Sequence, residues 1–252
     1  MKGIKGKVAF ITGGNSGIGK TTALAFAREG AKVALAARRE SLGNEVVEEI
    51  KKLGGEAIFI KTDVQKPEQI EAAVSKTVET FGSLDFGFNN AGILNPLGTI
   101  DKLSLEDWND SVKTNLTGVW LSMKYEIRQM VKQGSGIIVN NSSTHGLIST
   151  PFGVSPYDAT KHGVIGITKS CAMENAKRGI RANVICPGEI NTPMMDVIDK
   201  TNIDPARILA RQPMGRGGEP EEVAEMVIFL CSDGASFMNG STIVIDGGLT
   251  AT

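Results

Sequence analysis

The sequence has little to build a covalent or metallic staple from. Its 252 residues include three cysteines, Cys171, Cys186 and Cys231, odd in number, widely separated and without zinc-site spacing. Such usage suits a reducing compartment and buried apolar thiols, not a disulfide framework. Histidine is scarcer still: His145 and His162 stand at unrelated positions, and no metal site is expected. No stretch reaches the ~18 consecutive apolar residues of a membrane span. The opening Met1-Lys2-Gly3-Ile4-Lys5-Gly6-Lys7 lacks the apolar core of a signal peptide. An excess of one charge is also missing, since 27 basic and 28 acidic side chains leave a net charge of −1 with no like-charged block. That balance excludes a general nucleic-acid or anionic-membrane binder. There is no Pro/Ser-rich linker, repeat or low-complexity tract either. The expectation is a cytoplasmic globular protein with neither membrane nor nucleic acid as partner.

What is present is ordinary globular composition, 41% apolar and 22% charged, in a chain long enough to bury a sizeable core. Short apolar runs alternate with segments of helical period. KVAFIT (7–12) predicts a buried strand, and 17–28 the helix after it, ended by Gly30. Then come AKVALAA (31–37), a charged helix through EVVEEIKKL (45–53), AIFIKTD (57–63), a helix opened by Pro67, and LDFGFNN (84–90). A long helix between Ser104 and Met130, GIIVNNSS (136–143), a helix from about Ser155 to Lys177, IRANVICPG (180–188) and STIVIDGG (241–248) follow. This alternation predicts an α/β protein: a doubly wound parallel sheet with helices on both faces and right-handed crossovers. Continuous apolar strands fit a sheet covered on both sides. Residues 1–252 read as one domain. The irregular stretch at about 189–218 reads as a loop-and-helix excursion over a site.

Ligands of such sheets bind beyond the carboxyl ends of the strands. After the first strand comes Thr12-Gly13-Gly14-Asn15-Ser16-Gly17-Ile18-Gly19, leading straight into a helix. Its glycines let the backbone approach a ligand, and the free N–H groups of the helix's first turn suit a pyrophosphate. Gly14 to Thr21 also satisfies the Walker spacing formally, so a P-loop phosphotransferase competes for this loop. No apolar run ending in an acidic pair to hold magnesium accompanies it.

A second polar group suits other chemistry. Tyr125 lies inside the long helix, where core packing accounts for it. Tyr157 stands four residues before Lys161, which places phenol and ammonium on one helical face. A neighbouring ammonium favours phenolate and is expected to pull the tyrosine pKa down from about 10, making Tyr157 a usable acid–base group. Alone, a surface Tyr–Lys pair explains the same spacing. Ser142-Ser143 closes the preceding strand, offering a hydroxyl to a substrate oxygen or to the backbone. Asn115 sits mid-helix, where asparagine needs a tertiary task or marks a kink.

Together these residues resemble the short-chain dehydrogenase/reductase family, in its branch of roughly 250 residues with a single Rossmann domain. The likeness spans nearly the whole chain: TGGNSGIG (12–19), TDV (62–64), NNAG (89–92), Asn115, NNSS (140–143), YDATK (157–161), PGEINTPM (187–194) and GSTIVIDGG (240–248). It reads the first loop as G-x-x-x-G-x-G, which outweighs the Walker match. The resemblance implies a catalytic set of Asn115, Ser143, Tyr157 and Lys161. Tyr157 would exchange a proton with the substrate oxygen, and Ser143 would polarise the carbonyl. Lys161 would lower the tyrosine pKa and bind the nicotinamide ribose, and Asn115 would position a water reaching Lys161. Cofactor contacts would come from Gly13, Asn15, Ser16, Gly17, Ile18 and Gly19 for pyrophosphate, Asp63 and Val64 for adenine, and Asn90 near the adenosine ribose. Ile190 and Thr192 would meet the carboxamide, with Tyr157 and Lys161 also touching the cofactor. From Ser143 to Tyr157 is 14 positions, where the family more often has 13, so Ser142 and Thr144 stand as fallbacks. Family members mostly form tetramers through their two long helices, which implies a homotetramer here. A non-catalytic nicotinamide-binding regulator is the rival from another class.

The second strand ends Ala36-Ala37-Arg38-Arg39, with no carboxylate before Glu40 to accept from the ribose hydroxyls. Arg38, assisted by Arg39, suits a 2′-phosphate instead. NADP(H) is therefore favoured, with NAD(H) the alternative. Candidate pocket residues Leu94, His145, Leu147, Phe152, Met194, Met195 and Ile198 point to a small or medium, fairly apolar ketone or secondary alcohol as substrate. His145 either touches it or faces water; His162 is expected to point away.

Overall fold

Strands form where apolar residues run without interruption, and their side chains divide between two apolar layers. Val8–Thr12 (β1) is buried at every position. Phe10 enters one layer, while Ala9 and Ile11 enter the other. The computed structural model describes residues 1–94, 97–196 and 211–251. These residues contain six further strands, Lys32–Ala37 (β2), Ala57–Lys61 (β3), Phe86–Asn89 (β4), Gly136–Asn141 (β5), Ile180–Pro187 (β6) and Thr242–Ile245 (β7). All pair in parallel, in the order β3-β2-β1-β4-β5-β6-β7. A single doubly wound sheet was expected, and this is one.

Helices Gly17–Arg28 (α1), Glu40–Lys52 (α2), Pro67–Phe81 (α3), Leu105–Ser111 (α4), Gly118–Gln133 (α5) and Ser155–Asn175 (α6) fill the crossovers. Proline supplies the first residue of α3, where its missing N–H has no intrahelical partner to lose. Ser104 and Asp107 cap α4 reciprocally. Phe26 of α1 packs with Ile11, Leu35 and Val227, and on the opposite face Val119 of α5 and Val164 of α6 pack with Phe10 and Ala34.

Two differences from the sequence expectation have physical causes. The long helix at 104–130 is interrupted by a π-turn at Val112–Thr117, centred on Asn115. A further helix, Pro220–Cys231 (α7), follows the irregular stretch and packs on α1. It opens with proline and a Glu219–Glu222 capping pair that the sequence reading passed over. All three cysteines are buried and free. No helix among the described residues is long and apolar enough to cross a membrane.

Sheet order reverses between β1 and β4, which pair Thr12 with Asn89. Connections leave in opposite directions there, and a cleft opens beyond the strand ends.

Candidate active site

One continuous cleft runs along the carboxyl ends of the strands. Gly13, Asn15, Ser16, Gly17 and Ile18 line its floor, with Arg38, Arg39, Asp63 and Val64 at one end. Ser143, Tyr157 and Lys161 line the other end, and Asn90, Ile190 and Thr192 lie between.

The turn after β1 has no room for side chains. Gly13 takes φ +66°, and a Cβ there would stand 2.9 Å from the Ala91 Cα. A Cβ on Gly19 would collide with the Gly13 carbonyl oxygen. Ser16, the residue before α1, makes no capping bond; its hydroxyl accepts from Arg39 Nη2 at 2.9 Å. The first-turn N–H groups of α1 are thereby left facing the cleft, a cradle that fits a pyrophosphate. Asn90 ties this turn to the sheet: its amide donates to the Gly13 carbonyl at 3.2 Å and its carbonyl accepts from Asn141 at 2.9 Å.

Lys20, the lysine of the Walker spacing, lies within α1 and bonds Glu49 at 2.7 Å. It does not line the cleft. The helix begins before this residue and turns it toward α2, so the P-loop competitor loses its phosphate ligand.

At the other end, α6 holds Tyr157 and Lys161 one turn apart, with the ammonium 5.3 Å from the phenol ring centroid. Lys161 is 4% exposed and donates to the Asn141 carbonyl at 2.8 Å. Burial lowers its pKa to about 8. Ser142 is occupied, donating to the Lys161 carbonyl at 2.8 Å, and Thr144 does not line the cleft. Ser143 is the hydroxyl of the three that interacts with the Tyr157 phenol.

The direction of the tyrosine shift differs from expectation. Burial raises the Tyr157 pKa; the Ser143 hydroxyl pulls it down, and the charges of Glu189 and Asp158 raise it further. Desolvation penalises the phenolate more than the protein's own groups stabilise it.

Asn115 is fully buried behind the cleft wall. Its carbonyl accepts from Ile93 N at 2.8 Å and its amide donates to Ile93 O at 2.9 Å. The side chain thus clamps the segment after NNAG, and a Cβ on Gly92 would lie 3.3 Å from Asn115 Oδ1 and 3.8 Å from Lys161 Nζ. The π-turn turns this asparagine inward.

Around the expected substrate end, Leu94, His145, Phe152, Met194 and Met195 line the cleft. Leu147 does not: it is 39% exposed, because the short 3-10 turn at Thr144–Gly146 carries it outward. Ile198 lies outside the described residues. His162 is exposed, with Nδ1 on the Asp158 carbonyl at 2.9 Å. Asn141, Glu189 and Thr114 also line the cleft without having been singled out as site residues. Asn141 and Glu189 lie inside the NNSS and PGEINTPM blocks, and Thr114 stands next to Asn115 in the π-turn.

A glycine cradle at the switch point of a doubly wound sheet, sharing one cleft with a Ser–Tyr–Lys group, defines a dinucleotide-dependent oxidoreductase. The comparisons agree. A family model described as Enoyl-(Acyl carrier protein) reductase matches residues 13–250. Cyclohexanol dehydrogenase of Acinetobacter sp. (strain SE19) is 44% identical over 245 residues, 97% of this chain and 95% of that protein. A short-chain type dehydrogenase/reductase from Mycobacterium marinum superposes with a TM-score of 0.94 at 38% identity, covering 99% and 97% of the two chains. Levodione reductase superposes at 0.95 with 36% identity, covering 99% of each. The chain belongs to the short-chain dehydrogenase/reductase family, whose oxidoreductases use a nicotinamide dinucleotide.

Proposed function

We propose that the protein moves a hydride between NADP(H) and the carbon of a ketone or secondary alcohol, with Asn115, Ser143, Tyr157 and Lys161 as its working set. The observation that carries this reading is the shared cleft: the glycine turn and the Ser143–Tyr157–Lys161 group line one continuous surface. The similarity to a cyclohexanol dehydrogenase supports a cyclic alcohol or its ketone as substrate.

When bound, the dinucleotide supplies or accepts the hydride. In the reductive direction Ser143 holds the carbonyl oxygen, and Tyr157 Oη delivers its proton there as negative charge develops. A buried phenol kept protonated suits that donor role. Lys161 stabilises the phenolate left behind, and Asn115 acts through Ile93 and Gly92 to fix the wall beside Lys161. In the oxidative direction the phenolate takes the alcohol proton. Gly13 to Gly19 would hold the pyrophosphate, Asp63 and Val64 the adenine, and Ile190 and Thr192 the carboxamide.

The preference for NADP(H) over NAD(H) is supported at the end of β2. Ala37 offers no carboxylate, Arg38 and Arg39 are exposed in the cleft, and the Glu40 carboxylate lies 3.8 Å from Lys61 Nζ. Assembly as a homotetramer is supported by Trp108, Trp120 and Met173, large apolar side chains left 42%, 49% and 84% exposed on the two long helical segments.

The test is a spectrophotometric screen of NADPH and NADH oxidation against cyclic ketones, repeated with Tyr157→Phe. A loss of at least about a hundredfold in kcat is expected for the variant. Unchanged rates would remove the acid–base role.

A further inference from the structure

The substrate end of the cleft carries a polar group that hydride transfer does not use. His145 follows Ser143 in the 3-10 turn, and its Nδ1 lies 2.6 Å from Asp158 Oδ1. Both side chains are well buried, 15% and 14% exposed. The imidazole stands edge-on to the Tyr157 ring, with centroids 5.6 Å apart. A carboxylate at Nδ1 takes the N–H of that nitrogen and leaves Nε2 as the ring atom without a partner among the described residues. Asp158 lies in the first turn of α6, where a negative charge is favourable, so the tether is held from both ends. Glu189, just past the end of β6, also lines the cleft and has no side-chain hydrogen bond among the described residues. It lies within electrostatic range of His145, Tyr157 and Arg211, and the Arg211 charge favours its ionised form against the burial that opposes it.

A substrate entering here strips water from the imidazole Nε2 and from the Glu189 carboxyl. A ring with one oxygen places that oxygen at Ser143 and Tyr157 and leaves the imidazole Nε2 and the Glu189 carboxyl desolvated and without a hydrogen-bond partner, which costs binding energy. A second oxygen on the ring offsets the loss. The expectation of a fairly apolar substrate rested on neighbouring residue types and did not foresee a tethered histidine.

We propose that His145, held by Asp158, and Glu189 form a second oxygen-binding subsite beside Tyr157, so that the substrate class is a diol, hydroxyketone or dione and not a mono-oxygenated ring. This deepens the hydride-transfer reading and rests on it for which oxygen reacts. His145 and Glu189 are specificity-determining, and Asp158 is a positioning residue.

The experiment compares cyclohexanol with cyclohexane-1,2-diol in two readouts. Calorimetric titration of the NADPH complex, with which an alcohol does not react, measures binding alone; NADP⁺ reduction measures turnover. The wild-type protein is expected to prefer the diol about tenfold or more in both affinity and kcat/KM. His145→Phe, which keeps ring volume, and Glu189→Leu, on a separate element, are each expected to bring the ratio to within about threefold. NADPH affinity serves as the check that each variant is folded. A purely structural role would weaken both ligands alike and leave the ratio unchanged, which overturns the subsite, as does equal wild-type affinity. Turnover of neither alcohol would remove the hydride-transfer reading, yet a diol preference lost in the variants' titrations would still support the subsite.

Discussion

The Lys161 ammonium sits 5.3 Å from the centroid of the Tyr157 ring while its hydrogen bond goes elsewhere, to the Asn141 carbonyl 2.8 Å away. The ammonium therefore faces the phenol ring without a direct hydrogen bond to its oxygen. Burial works on the two groups in opposite directions, up for the phenol and down to about 8 for the ammonium. Both shifts favour the uncharged form.

The first prediction concerns rate against pH. A phenol held protonated through neutrality donates readily, so kcat/KM for carbonyl reduction is expected to stay level up to about pH 8 and fall above it as Lys161 loses its charge. Alcohol oxidation needs the phenolate, so its kcat/KM is expected to rise with pH across the same range. Profiles of both directions, measured on one ketone–alcohol pair, check this. Parallel profiles contradict it.

Arg38→Ala separates the two nicotinamide cofactors. It removes a cation from the cleft at the end of β2 while leaving the Arg39–Ser16 bond intact. The expected result is a loss of about tenfold or more in NADPH affinity with little change for NADH. Equal losses would point to a role in folding the β2 turn.

Two neighbours in the first turn of α1 are expected to behave oppositely. Gly19→Ala puts a methyl group into the Gly13 carbonyl, so dinucleotide binding should fall steeply, with about 2 kcal/mol or more of stability lost. Lys20→Met breaks only a part-exposed pair with Glu49, worth at most about 1 kcal/mol. Its dinucleotide affinity should be unchanged in fluorescence titration. A loss there would revive the Walker reading of the loop.

Beneath the sheet, Asn89 Nδ2 donates to Glu126 Oε2 at 3.0 Å, while Glu126 Oε1 and Asn89 Oδ1 have no hydrogen-bond partner among the described residues. A proton on the carboxyl supplies the missing donor, in keeping with a pKa raised by burial from 4.5 to about 7. Between those values the folded state holds a proton that the unfolded state has released, so this group's stabilisation falls as pH rises. Full deprotonation costs on the order of 3 kcal/mol. Glu126→Gln supplies a permanent donor and should flatten this part of the slope. Urea unfolding at pH 5 and pH 8 reads the difference; an identical pH dependence in the variant would falsify the assignment.

The legible part of this protein was its local chemistry. Apolar runs such as Val8–Thr12, the glycines at 13, 17 and 19, and the Tyr157–Lys161 spacing carry their meaning within a few residues, because strand burial, backbone clearance and helical period are short-range properties. That was enough to derive a doubly wound sheet, while Asp63, Val64, Asn90, Ile190 and Thr192 were placed by the family resemblance and not by local pattern. Tertiary structure alone decided what depends on contacts between distant segments. It brought Asp158 to His145 and Glu189 into range of His145 and Tyr157, turned Asn115 under Ile93 through a π-turn, and sent Lys20 to Glu49. It also set the sign of the Tyr157 shift, since desolvation depends on everything packed around a group and not on its neighbours in sequence.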